Sequence, residues 1–151
     1  MAIEEVEIRP SLPRDYKLPK KEASEIIKNK TLLFDTVMDA IGDLVSIQDL
    51  DMRIVCQNRA IRELMGAHIG EPCYKIHERR PQICEGCPMQ ESFKTGKIAR
   101  ALRTGISKEG KAGRYELITA VLKNKEGKIV AGIEVVRDVT ERERTLKELK
   151  E

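Results

Sequence analysis

Tryptophan is absent from this 151-residue chain, and only two phenylalanines and three tyrosines stand in for it. So thin an aromatic supply removes the stacking platforms on which single-stranded nucleic acid is bound. Excess charge is missing too, since 28 basic against 25 acidic side chains leave a formal net charge of +3. A nucleic-acid footprint needs clustered positive charge, so no nucleic-acid partner is expected. No apolar run approaches the ~20 residues that cross a bilayer. The acidic start MAIEEVEIRP also lacks a hydrophobic signal core. No membrane partner and a cytoplasmic location follow as expectations. In that reducing compartment cysteines serve as metal ligands or redox groups more often than as structural disulfides.

What is present sorts into four stretches. Residues 1–20 carry Pro10, Pro13 and Pro19 among charged side chains, which favours an extended N-terminal arm. Over residues 21–41 the spacing of Ile26, Ile27, Leu33, Phe34, Val37, Met38 and Ile41 predicts a helix closed by Gly42. That helix either packs on its own domain or pairs in a homodimer. Residues 42–137 then read as one core. LVSIQDLD and RIVC form two short strands, and Asn58 caps a helix over Arg59–Met65. Short helical pieces follow, and then three period-two strands begin at Ile98, Gly113 and Lys128 with glycine-bearing turns between them. On those strands Glu116 and Glu134 are read as facing water. Residues 138–151 end the chain in a charged exit helix. The order is that of an α+β fold.

The chemistry is concentrated in Gly70–Pro88, GEPCYKIHERRPQICEGCP, which holds Cys73, Cys84 and Cys87. Two cysteines separated by two residues can turn both sulfurs toward one ion, and Cys73 supplies a third. The fourth ligand is left between Cys56 and His77. Cys56 shares a strand face with Ile54, and His77 lies one helical turn beyond Cys73. Zinc would pin the loop, whereas an iron–sulfur cluster would sense oxygen or redox poise. Without any metal, Cys84 and Cys87 can close a disulfide and act as a thiol switch. No nucleophile–base constellation points to an enzyme.

The entry DLVSIQDLD, the run RIVCQNRAIRELMG and the ending GRYELITAVLKNKEGKIVAGIEVVRDVTERE together resemble a PAS domain over about residues 36 to 144. Asn58, the turn at Lys123–Gly127, and Asp138 with Thr140 match recurring features of that family. The resemblance implies a sensory module: a five-stranded antiparallel sheet with short helices on one face, flanked by N-terminal and C-terminal helices that pair in a dimer. It also implies a pocket, for which Tyr74, Leu117 and Ile133 are the candidate lining residues. A Cys-Tyr pair followed by CxxCP recurs in a subset of PAS domains, some of which bind iron–sulfur clusters through two CxxC pairs; this chain has one pair plus Cys73. Cys73 also falls roughly where light–oxygen–voltage sensors carry their flavin-reactive cysteine. The residues around it do not match theirs, which argues against flavin. Pro88 directly after the CxxC excludes covalent haem. No histidine-phosphorylation segment follows Thr140, so an output domain such as a histidine kinase is expected outside this chain. The rival readings are a cofactor-free dimerisation module and a sensor of a small organic ligand.

Overall fold

A computed structural model describes residues 29–106 and 109–151. The expected arm at 1–20, the start of the 21–41 helix, and Ser107 with Lys108 lie outside the described residues. The elements run α1 (Lys30–Ala40), β1 (Leu44–Asp49), β2 (Ile54–Gln57), α2 (Arg59–Met65), α3 (Cys73–Ile76), α4 (Pro88–Thr95), β3 (Ala99–Ile106), β4 (Ala112–Lys123), β5 (Ile129–Asp138) and α5 (Thr140–Lys150). The five strands form one antiparallel sheet in the order β2-β1-β5-β4-β3. This is the α+β architecture expected for a PAS fold.

Each local element has an identifiable cause. The Asn29 side chain caps α1 by accepting from the Leu32 N–H at 3.0 Å. Its apolar stripe is mostly uncovered: Met38 is buried, while Leu32, Phe34 and Val37 are exposed. Asn58 caps α2 through its carboxamide oxygen, which accepts from the Ile61 N–H at 3.2 Å. Gly96 ends α4 in the left-handed conformation. Between β1 and β2 the Asp49 carboxylate accepts from the backbone N–H groups of Asp51 and Arg53 at 2.9 and 3.0 Å. That tight turn drives Met52 to a φ of 62°, a left-handed conformation unusual for a residue with a Cβ. Its side chain is fully buried in a cluster with Ile54, Cys73 and Met89.

The register decides which face each strand residue serves. Glu134 stands opposite Ser46 on β1 and Thr119 on β4, on the helix-covered side of the sheet. That side is unusually polar: Ser46, Gln48, Ser92 and Thr119 are all buried. Buried polar groups need partners. Gln48 donates to the Ser46 hydroxyl at 2.6 Å, and the Ser92 and Thr119 hydroxyls meet at 2.7 Å. α4 sits directly over β5 at Gly132, where Met89 fills the space a side chain would need.

Candidate functional site

Three backbone arrangements bring the cysteines toward one place. The segment before α3 runs along the edge of β2, with the Ile54 N–H donating to Glu71 and the Cys73 N–H donating to Met52, both at 2.9 Å. Cys73 is thereby seated against the strained turn. The His77 N–H donates to the Cys73 carbonyl at 2.7 Å, so the imidazole follows one turn later. The Cys84–Cys87 turn passes through Gly86 at a φ of 65° and is tied to β3 by Arg103, whose guanidinium donates to the carbonyls of Gly86 and Glu85 at 3.1 and 3.4 Å. Cys87 then forms the N-terminal boundary of α4, with Pro88 in the first turn where its missing N–H costs nothing.

These arrangements form a partly open cavity of about 30 Å³ whose walls include Cys73, Cys84, Cys87, His77, Glu134 and Arg103. One water needs about 10–15 Å³ on this measure, so the space suits an ion or one or two waters. Tyr74, Leu117 and Met52 also line it. Ile133 does not. It neighbours Glu134 on β5, and successive strand residues point to opposite faces, so Ile133 lies on the far side, paired with Ile47 and Ala120.

Cys56 is also absent from these walls. The premise that it shares a face with Ile54 fails because β2 is bulged: Ile54 pairs with Gln48 and Cys56 with Ile47, leaving Val55 as an extra residue. Ile54 is accordingly buried while Val55 is exposed. Cys56 instead feels Asp35, Arg62 and Asp39, the charges of α1 and α2. Glu134, expected to face water, is the residue that sequence reasoning missed. Only the cross-strand register reveals it, because an acidic residue in an alternating strand defaults to the solvent side.

Burial dominates the electrostatics here. It pushes the Cys73 thiol up to about 12, with Glu134, Cys87 and Cys84 adding to the shift. Cys84 and Cys87 are raised for the same first reason, although the backbone N–H groups of Gln90 and Met89 pull Cys87 the other way. The Glu134 carboxyl is raised to about 7 by burial and then by Glu78, against the lowering effect of Arg103. His77 is lowered to about 4, again chiefly by burial. Its Nδ1 lies 3.9 Å from the Glu134 carboxylate, beyond hydrogen-bond range. Its Nε2 is buried with no partner. Among the described residues, no group of three or more His, Cys, Asp or Glu side chains is arranged to hold a metal ion as the side chains stand.

The two histidines give a direct check on this burial. In the reduced, metal-free protein His77 should titrate near 4, far below its ordinary 6.5, and His68 above 6.5 because Glu71 accepts from its ring. Imidazole NMR over pH 3 to 9 reads both, and a His77 midpoint near 6.5 would mean that the His77 ring is not buried as the structure has it. The stability signs oppose each other. The contribution of His77 is complete above 6.5 and is lost as pH falls toward about 4. That of Glu134 is complete below about 4.5 and is lost as pH rises toward about 7.

The sequence matches the family described as PAS fold over residues 38–144. The chain belongs to this family of sensory domains. Among curated proteins none matches it. Among solved structures it is similar to an RNA-binding light–oxygen–voltage receptor, at 18% identity and a TM-score of 0.63 over 95% of this chain and 41% of that one. It is similar to the Vibrio cholerae receptor VqmA, at 18% identity and 0.58, over 74% of this chain and 52% of that one. A light–oxygen–voltage domain studied with a flavin analogue matches at 18% identity and 0.54, over 82% of this chain and 96% of that one.

Two expectations change. The exclusion of nucleic acid is overturned, since the similar chains include an RNA-binding receptor and a DNA-binding receptor of the LuxR type. Their matched part is about half of each chain or less, so the charge of a PAS domain does not report what the whole receptor binds. The argument against flavin also gains no support, because flavin-type domains share this fold. Among the described residues no helix is long and apolar enough to cross a membrane.

Proposed function

We propose that this chain is the input domain of a cytoplasmic signal-transduction protein, and that its signal enters at the cysteine-lined cavity. In this reading Cys73, Cys84 and Cys87 bind a metal centre with His77 as the fourth ligand. One observation carries it: three cysteines line a single cavity together with His77, whose Nε2 is buried without a partner. A disulfide switch is the weaker reading, because thiols raised by burial are poor nucleophiles. Metal binding must displace the same thiol protons, but there the bound ion itself stabilises the thiolates, so affinity rises with pH instead of requiring thiolate beforehand. An iron–sulfur cluster or an organic ligand would need these side chains to move apart from the present space of about 30 Å³. Organic ligands commonly occupy about 300 Å³ or more.

The protein's own residues supply a route outward. The Thr119 hydroxyl donates to the Pro88 carbonyl at 2.9 Å, so a shift of Cys87 bears on β4. At its other end β4 holds the exit helix: the Arg114 N–H donates to the Thr140 hydroxyl at 2.9 Å, and Arg114 pairs with Glu143 at 3.1 Å. Homodimerisation through the exposed apolar side of α1 and through α5 would carry the change to an output domain, whether a kinase or a nucleic-acid-binding unit.

The test is metal and sulfide content of protein purified without oxygen, in the native form and as Cys73→Ser, Cys87→Ser and Cys56→Ser. Bound metal should survive Cys56→Ser and disappear in the other two. Native protein without metal, or metal retained in Cys73→Ser and Cys87→Ser, overturns the reading.

A further inference from the structure

We propose that Glu134 is the outer carboxylate of a single-ion Cys₃His site of the zinc type, fixing the His77 ring so that its Nε2 faces the ion. The inference rests on the metal-centre reading above and extends it to a residue outside the ligand set. Metal-bound histidines nearly always donate their second ring N–H to a carboxylate or carbonyl, which sets both tautomer and orientation. His77 has the two halves of that arrangement apart from each other. On one side Nδ1 faces the Glu134 carboxylate at 3.9 Å, with the two side chains only 10% and 13% exposed. On the other side Nε2 is buried and unpartnered. An imidazole that donates from Nδ1 leaves Nε2 as a lone-pair donor, which is the state a metal ligand requires.

The cavity size limits the occupant. About 30 Å³ takes one ion without the side chains moving apart, as a cluster with bridging sulfides would require. Three sulfurs and one nitrogen are a tetrahedral zinc set. The side chains are not arranged to hold an ion as they stand, so they must draw inward on binding. In doing so the 3.9 Å gap closes to a hydrogen bond, and the three thiol protons leave for solvent. Glu134 is thus a positioning residue. Its place on β5, opposite Thr119 and Ser46, makes the sheet itself feel whether the ring is engaged.

Cobalt(II) and zinc(II) separate the possibilities. Reduced protein is titrated with cobalt, followed by its thiolate and ligand-field bands, and zinc is then competed against it. Native protein should show a tetrahedral cobalt spectrum that includes a nitrogen ligand. Glu134→Leu should lose affinity by about 10- to 100-fold, the usual effect of removing an outer-shell partner. Glu134→Gln keeps an acceptor oxygen and should lose less. The metal-free Glu134→Leu protein should be no less stable than native, since a buried carboxyl without a hydrogen bond is replaced by hydrocarbon. Unchanged affinity in Glu134→Leu, with the cysteine variants still losing metal, overturns this inference and leaves the metal-centre reading intact. So does native protein that carries iron with sulfide. Native protein that binds neither ion, or cysteine variants that bind like native, removes the reading on which the inference stands.

Discussion

Replacing Asn58 with alanine should cost the domain about 3 kcal/mol or more, enough to unfold much of it. The side chain is wholly buried and joins three elements. Its oxygen accepts from the Val45 N–H on β1 at 3.1 Å and from the Ile61 N–H of α2 at 3.2 Å. Its amide nitrogen donates to the carbonyls of Met38 and Ile41 at 3.2 Å and of Asp43 at 2.9 Å, fastening the end of α1. Losing a helix cap costs about 1 kcal/mol. Each buried backbone group left without a partner adds about 1–3 kcal/mol. Val45 is fully buried, so water cannot replace what its N–H loses. Against a typical total of about 5–15 kcal/mol, that is a large share. Aspartate should not rescue the site, because its second oxygen would face three carbonyls where a donor is needed. Urea unfolding should show a lower midpoint at unchanged slope. A loss under about 1 kcal/mol would mean that the network is dispensable, contrary to the cost expected for orphaned buried groups.

Asn58 also shows what local sequence can reveal. An asparagine ahead of an amphipathic run reads as a cap from spacing alone, and it is one. The three long strands were legible for the same reason, as period-two runs punctuated by glycine turns. The pairing of β1 with β5 joins segments far apart in the chain, and no local pattern encodes it. That pairing is what turns Glu134 inward and Ile133 outward. The bulge at Val55 was equally invisible, because one unpaired residue looks like any other in a short strand, yet it moves Cys56 away from the other three cysteines. His77 could be singled out by its helical spacing from Cys73. Its stranded Nε2 could not, since the burial of that nitrogen depends on tertiary packing.

Gly132→Ala should show how tightly the cysteine turn depends on the sheet beneath α4. Gly132 needs no unusual backbone, so the effect is steric. An added methyl would overlap the Met89 sulfur outright and lie 3.0 Å from the Met89 terminal carbon and the nearest Phe93 ring carbon. Met89 is completely buried, so its flexible end can yield only by repacking against its neighbours. Overpacking of this kind costs about 1–3 kcal/mol. Because Met89 is two residues from Cys87, any part of the relief taken up by the first turn of α4 carries the Cys87 sulfur with it. The variant should therefore lose about 2 kcal/mol in urea unfolding. It should also weaken cobalt binding about tenfold, the equivalent of 1.4 kcal/mol. Met89→Ala alone should cost about 2–5 kcal/mol by leaving a cavity. In Gly132→Ala/Met89→Ala the new methyl fills part of that cavity, so the two losses should fall short of additive by about 1 kcal/mol or more. Strict additivity would mean that helix and strand do not meet at this point. The sulfur of Cys87 would then be free to move without disturbing β5, leaving the Pro88–Thr119 bond to β4 to link the cavity and the exit helix.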